Sequence, residues 1–125
     1  MKTERYLEVV GSRPKPGKEK EYLTWYHQHI ADMCKFKGCR RVRLSRLFQP
    51  LGEKGPQCPR YVTIYEFESK EAIAEFYKNY VLPSAGGQLK DDLLPASVEM
   101  LWAGYYEPVE TVENARVRTR GRKSQ

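Results

Sequence analysis

Apolar and polar positions follow two different rhythms along this chain. "RYLEVVGS" (5–12) is rich in β-branched and aromatic residues and reads as a strand. "RPKPG" breaks it, and Gly17 leads into a segment whose apolar residues recur at helical spacing: Tyr22, Trp25, Tyr26, Ile30 and Met33. That spacing predicts a helix from Lys18 to about Lys35. Glu19 and Glu21 lie at the positive end of its dipole, and Gly38 is placed to stop it. "CRRVRLSRLFQ" (39–49) sets Val42 and Leu44 against Arg41, Arg43 and Ser45, the period-two pattern of a strand with unlike faces. "RYVTIYEFE" (60–68) alternates in the same way. Between them "PLGEKGPQCP" (50–59), with three prolines and two glycines, can only be a loop.

Ser69 is a cap for a second helix, striped by Ala72, Ile73, Phe76, Tyr77 and Tyr80. "VLPSAGGQ" ends that helix, "LKDDLL" reads as a short helical piece, and "SVEMLWAGYYE" (97–107) is the last strand. The order β-α-β-β-α-β predicts an α+β fold: a ferredoxin-like sandwich with a four-stranded antiparallel sheet and both helices on one face. Strand alternation then sends Leu7, Val9, Val42, Leu44, Val62 and Ile64 toward the helices. It leaves Tyr6, Glu8, Val10, Arg41, Arg43, Tyr61, Thr63 and Tyr65 on the other side. Such a face is too apolar for water and too charged for a core. A second subunit closing over it, with a polar-aromatic cavity between, answers both objections.

The length of 125 residues fits one domain, expected over 1–108. Residues 109–125 hold five Arg or Lys and two Glu, with no apolar period, and read as a basic, flexible C-terminal tail. About half of the net charge of +6 therefore sits outside the domain, which weighs against a dedicated nucleic-acid surface. No run is long and apolar enough for a membrane span, and "MKTERYLEVV" lacks the apolar stretch of a signal peptide, so a cytoplasmic protein is expected. Cys34, Cys39 and Cys58 are odd in number and irregular in spacing, as reduced thiols would be. With only two histidines, no zinc-ligand spacing arises.

The run "RPKPGKEKEYLTWYHQHIADM…KGCRRVRLSRL" resembles the dimeric α+β barrel superfamily, in particular its EthD-like branch. There a strand leads through a Pro/Gly turn to a helix carrying an aromatic-rich "WY…H" motif, followed by a glycine and an Arg-containing strand. The resemblance spans about residues 5–107 and implies a homodimer whose two sheets close around small-molecule pockets. The superfamily includes cofactor-independent monooxygenases, cyclases, decarboxylases, isomerases and haem-binding members, so it narrows the fold more than the reaction. By position, His29 matches the helix histidine of the motif.

"WYHQHIADM" (25–33) places His29 beside Trp25 on the apolar stripe, with Asp32 three residues on along the same flank. A histidine oriented by a carboxylate is a general base; a half-buried histidine held only by packing fits the same position. His27 falls on the opposite, solvated flank. Glu8 and Arg43 are candidates for the polar walls of the cavity, or for a structural ion pair between strands. Tyr61, Tyr65, Trp25 and Trp102 could stack on a flat ligand, although core packing is the stronger claim for Trp102. No phosphate loop, nucleophile elbow or HExxH motif is present, and no cofactor or metal is implied.

These readings converge on a cofactor-independent enzyme (cyclase, lyase, isomerase or monooxygenase type) with an aromatic or polyketide-like substrate. His29 would be the base and Asp32 its orienter. The alternative is a dimer that binds a small hydrophobic ligand, or haem, without converting it.

Overall fold

The computed structural model describes residues 4–81 and 95–115. Its elements run β1 (Tyr6–Pro14), α1 (Glu19–Met33), β2 (Cys39–Arg46), β3 (Tyr61–Phe67), α2 (Lys70–Phe76), a π-helical turn (Tyr77–Val81) and β4 (Val98–Tyr106). The four strands form one antiparallel sheet in the order β2-β3-β1-β4, the ferredoxin-like arrangement expected. The expected break "VLPSAGGQ" after position 81, the piece "LKDDLL" and the last ten residues of the basic tail fall outside the described residues. Residues 107–115 follow β4 without joining the sheet, and Val109 and Val112 are exposed there. No helix among the described residues is long and apolar enough to cross a membrane.

The β1–α1 turn is tight because Gly17 takes φ +74, a left-handed conformation costly for any residue with a Cβ. β1 runs two residues further than expected, through Arg13 and Pro14, which pair with Glu99 and Val98 of β4. Helix α1 begins with Glu19 and Glu21 in its first turn. It ends at Met33, five residues before the glycine expected to stop it. Gly38 serves another purpose: a Cβ there would lie 2.6 Å from Cβ of Ala72, so its bare backbone lets the α1–β2 turn press against α2. Ser69 caps α2 as expected, its Oγ accepting from the Ala72 N–H at 3.1 Å.

The core lies between sheet and helices in two clusters. One joins Val10, Cys39, Tyr65 and Phe67 of the sheet to Met33 and Phe76 of the helices. The other joins Tyr61 and Val98 to Tyr22 and Tyr26 of α1. Tyr22 meets both Tyr26 and Tyr61 with tilted rings at 4.8 Å, contacts worth about 0.5–1.5 kcal/mol each beyond area burial. Their hydroxyls stay satisfied. Ser12 Oγ lies 2.6 Å from the Tyr22 hydroxyl and 3.3 Å from that of Tyr26, and Tyr61 donates to the Glu19 carboxylate.

Two strands therefore turn the other way from the expectation. Tyr61, Thr63 and Tyr65 are buried beneath the helices, and their partners Ser12, Val10 and Glu8 share that side, as does Tyr6 opposite Phe67. Leu7, Val9, Val62 and Ile64 lie on the uncovered face. For β2 the expectation holds: Val42 and Leu44 face the helices, Arg41 and Arg43 face away. The cause is physical. In β1 and β3 both phases of the alternation are apolar enough to bury, and the heavier tyrosine phase wins because the Tyr61 and Tyr65 hydroxyls find partners inside, although the Thr63 hydroxyl between them is buried without one. In β2 the second phase is arginine, so only one solution exists.

Candidate active site

Helix α1 presents Trp25, Tyr26 and His29 to the sheet, and β3 answers with Tyr65. Nε2 of His29 lies 2.8 Å from the Tyr65 hydroxyl. The imidazole stacks on Trp25 at 4.5 Å and 12°, and meets the edges of Tyr26 and Tyr65 at 5.9 and 5.7 Å. Burial among these rings lowers its pKa from 6.5 to about 4, only partly offset by the charge of Asp32. His29 is therefore neutral near pH 7. Tyr65 is pushed well above the ordinary tyrosine range, chiefly by burial, and is neutral as well.

Glu8 lies on the same side of the sheet, on β1, with Tyr65 opposite it on β3 and Tyr105 opposite it on β4. Desolvation raises its carboxyl from 4.5 to about 7. Tyr105 is half exposed and its hydroxyl is raised to about 12, by burial first and then by the proximity of Glu8 and Tyr77. Tyr77 opens the π-helical turn after α2, a type of distortion that recurs at functional sites. Glu8, Tyr65, His29 and Trp25 thus form a continuous wall, with Tyr105 and Tyr77 toward its rim.

The remaining candidates lie elsewhere. Asp32 is exposed, accepts from Gln28 Nε2 at 2.9 Å and pairs with Lys35 at 3.7 Å, so Tyr65 and not Asp32 orients His29. Arg43 is on the opposite face of the sheet from Glu8. It lies 3.4 Å from Glu66, a nearly buried carboxylate that Arg41 also grips at 2.7 and 2.9 Å. Tyr61 is buried in the second core cluster with its hydroxyl on Glu19. Trp102 covers Gly11 on the uncovered face and donates to the Gln57 carbonyl at 3.2 Å. His27 is exposed. A cleft of about 540 Å³ bordered by Arg13, Lys15, Lys20, Arg60 and Glu19 lies at the β1–α1 turn, at the other end of α1 from His29.

Sequence reasoning missed Tyr105, Tyr77 and the role of Tyr26. Adjacent tyrosines at 105 and 106 must point to opposite faces, but the sequence carries no sign of which goes where. The π-helical turn had no signal at all. Among the described residues no group of three or more His, Cys, Asp or Glu is arranged to hold a metal ion.

A search of curated proteins by sequence finds no match. Solved structures share the fold over most of their length. The heme-degrader MhuD of Mycobacterium tuberculosis, solved with two hemes in its active site, aligns with TM-score 0.58 at 16% identity, over 86% of this chain and 99% of that one. An EthD family protein from Bacillus halodurans aligns with TM-score 0.56 at 10% identity, over 84% and 98%. A monooxygenase candidate from Shewanella loihica aligns with TM-score 0.59 at 10% identity, over 89% and 100%. At these identities the likeness concerns the fold alone, the ferredoxin-like α+β arrangement that an EthD family protein shares. By sequence, a family model described as "Domain of unknown function (DUF4286)" matches residues 15–84, more than half of the chain and the whole run from the Pro/Gly turn to the end of α2. The chain belongs to the DUF4286 family.

Proposed function

We propose that the chain is a cofactor-independent enzyme that moves a proton on an aromatic or polyketide-like compound held between α1 and the sheet. The observation that carries this reading is the pairing of a neutral His29–Tyr65 couple with a carboxyl, Glu8, that titrates near neutrality on the next strand. It also redistributes the roles. An imidazole that protonates only near pH 4 is always available as an acceptor but is a weak base. A carboxyl at about 7 is matched to proton transfer at neutral pH. Glu8 is therefore the proton acceptor and donor. His29, held by Tyr65, supplies an uncharged hydrogen-bonding edge to a developing enolate or phenolate, and Trp25 and Tyr105 supply the flat walls. The enzyme works as a homodimer whose second copy covers Leu7, Val9, Val62 and Ile64.

The test is hydrogen–deuterium exchange at acidic C–H positions of aromatic ketones and phenols, followed by NMR in heavy water. Wild-type protein accelerates exchange for at least one compound, and Glu8→Gln loses about 100-fold or more of that acceleration. Acceleration that survives Glu8→Gln unchanged, or no compound exchanged, overturns the reading.

Haem binding is the second reading, favoured by the neutral imidazole, which is the form an axial ligand needs. It requires Nε2 of His29 to leave Tyr65 or the ring to bind through Nδ1. A Soret shift on haemin titration that is lost in His29→Ala would move the assignment to it.

A further inference from the structure

We infer that the site beside Glu8 selects its aromatic ligand in an uncharged form, with the Glu8 carboxylate as the element that rejects anions. This rests on the proposed function above and names the class of compound that site takes.

The placement of charge carries the inference. Arginine was the natural group to hold an anionic substrate, and the fold engages these side chains elsewhere: Arg46 shares the covered side but bonds Tyr61, four residues along β3 from Tyr65, and Arg60 bonds the Leu47 carbonyl. Arg41 and Arg43 grip Glu66 on the opposite face of the sheet. Arg13 is held by Glu99 at the far end of β1, and Arg40 by Glu68. Among the described residues, the groups that strand pairing and electrostatics place next to Glu8 are uncharged. Tyr65 comes from β3 and Tyr105 from β4. Cys39 comes from β2, its thiol raised to about 11 mainly by burial and also by its nearness to Glu8. Beyond Tyr65 stand His29, bonded to its hydroxyl, and Tyr26, both from α1. Tyr77, which acts on Tyr105, follows α2. Among the described residues only desolvation shifts Glu8, with no cation to hold it ionised. An anion entering this layer meets no positive partner and a carboxylate that becomes negative above neutrality. A phenol, enol or ketone meets hydrogen-bonding groups and ring faces alone.

The experiment uses a matched pair of probes, 2-naphthol and 2-naphthoate, one neutral and one anionic from about pH 5.5 to about pH 8.5. Binding to the full chain is followed by calorimetry. His29 does not titrate in this range, since its pKa is about 4. The expected result is a pH-independent affinity for 2-naphthol. The affinity for 2-naphthoate should fall about tenfold or more as the pH rises through 7, with net proton uptake on binding, because the anion forces Glu8 to stay protonated. Glu8→Gln should bind both probes without pH dependence. The wild-type profile decides the matter even if that variant does not fold. Equal, pH-independent affinity for both probes would overturn the charge selection and leave the aromatic site standing. Failure of both probes to bind at any pH would overturn the aromatic site and the charge selection together.

Discussion

Tyr65 and His29 stand thirty-six residues apart in sequence, and a 2.8 Å hydrogen bond joins the phenol of one to Nε2 of the other across the gap between β3 and α1. The bond fixes the ring that the "WYHQH" motif singles out, and it does so from the sheet, not from the helix's own carboxylate.

Removing the phenolic oxygen should therefore cost more than removing the carboxylate. Tyr65→Phe leaves a half-buried imidazole nitrogen without its partner, a loss of about 1–3 kcal/mol. Asp32→Asn alters an exposed side chain that bonds Gln28 and Lys35, and should stay within about 0.5 kcal/mol of wild type. Urea unfolding of the two variants gives the comparison. Equal midpoints would mean that the Tyr65 bond does not hold His29.

Stability against pH should carry two opposing slopes. His29 has a folded pKa of about 4 against 6.5, so the unfolded chain binds its proton first. Its contribution is complete above 6.5 and is lost as pH falls toward 4. Glu8 has a folded pKa of about 7 against 4.5, so the folded chain holds the proton more tightly. Its contribution is complete below 4.5 and is lost as pH rises through 7. Each shift corresponds to about 3 kcal/mol at most, and less for groups that are only partly desolvated. In the wild type the two terms largely cancel between 4.5 and 6.5. In Glu8→Gln the His29 term stands alone, so stability should climb more steeply with pH over this window than in wild type. At pH 8 the variant should be the more stable of the two by about 1–3 kcal/mol. Parallel curves for variant and wild type would show that Glu8 is not desolvated.

The element order was legible because helix and strand periods differ and because Pro, Gly and Ser mark the joints at Gly17, 50–59 and Ser69. His29 was legible as well, since it stands in an apolar stripe of known period. What could not be read was the facing of β1 and β3. "YLEVV" and "YVTIY" offer two apolar phases each, and hydrophobicity alone favours the aliphatic one. The choice is made by hydroxyl partners on other elements, Tyr61 with Glu19 and Tyr65 with His29, and such long-range pairing leaves no local trace. The same error carried Glu8 to the wrong side and paired it with Arg43. Gly38 misled for a related reason: a glycine after a helix suggests a cap, whereas this one answers to Ala72 on a different helix.

That contact makes a sharp prediction of its own. Gly38→Ala would bring a methyl to within 2.6 Å of the Ala72 Cβ, which is fixed to the α2 backbone and cannot swing aside. Overpacking of this kind costs about 1–3 kcal/mol. The double substitution Gly38→Ala, Ala72→Gly restores the space, and should recover most of the loss apart from the penalty for glycine in a helix, about 1 kcal/mol. Thermal unfolding of the two variants checks it. A single variant as stable as wild type would mean the turn is free to move away from α2.

The uncovered face of the sheet sets the last expectation. Leu7, Val9, Val62 and Ile64 are half-buried there even in one chain, while Trp102 and Tyr106 beside them remain exposed. Glu66 is nearly buried on this face beneath Arg41 and Arg43, so the face also carries a desolvated charge cluster. A second copy docked across it removes the apolar surface from water, and a stable interface of this kind needs about 800 Å² from each partner, roughly the area of one sheet face. Ile64 lies near the middle of β3, opposite Val9 and Arg43, and its side chain takes no part in the core clusters beneath the helices. Ile64→Lys should therefore leave each chain folded but place a charge at the centre of the interface, costing several kcal/mol of association if the lysine stays unpaired. Light scattering at micromolar concentration should show dimers for wild type and monomers for the variant, with matching far-UV circular dichroism. A wild-type chain that is monomeric at that concentration would remove the second subunit from the proposed function, while leaving the Glu8, Tyr65 and His29 wall intact, because that wall lies wholly within one chain.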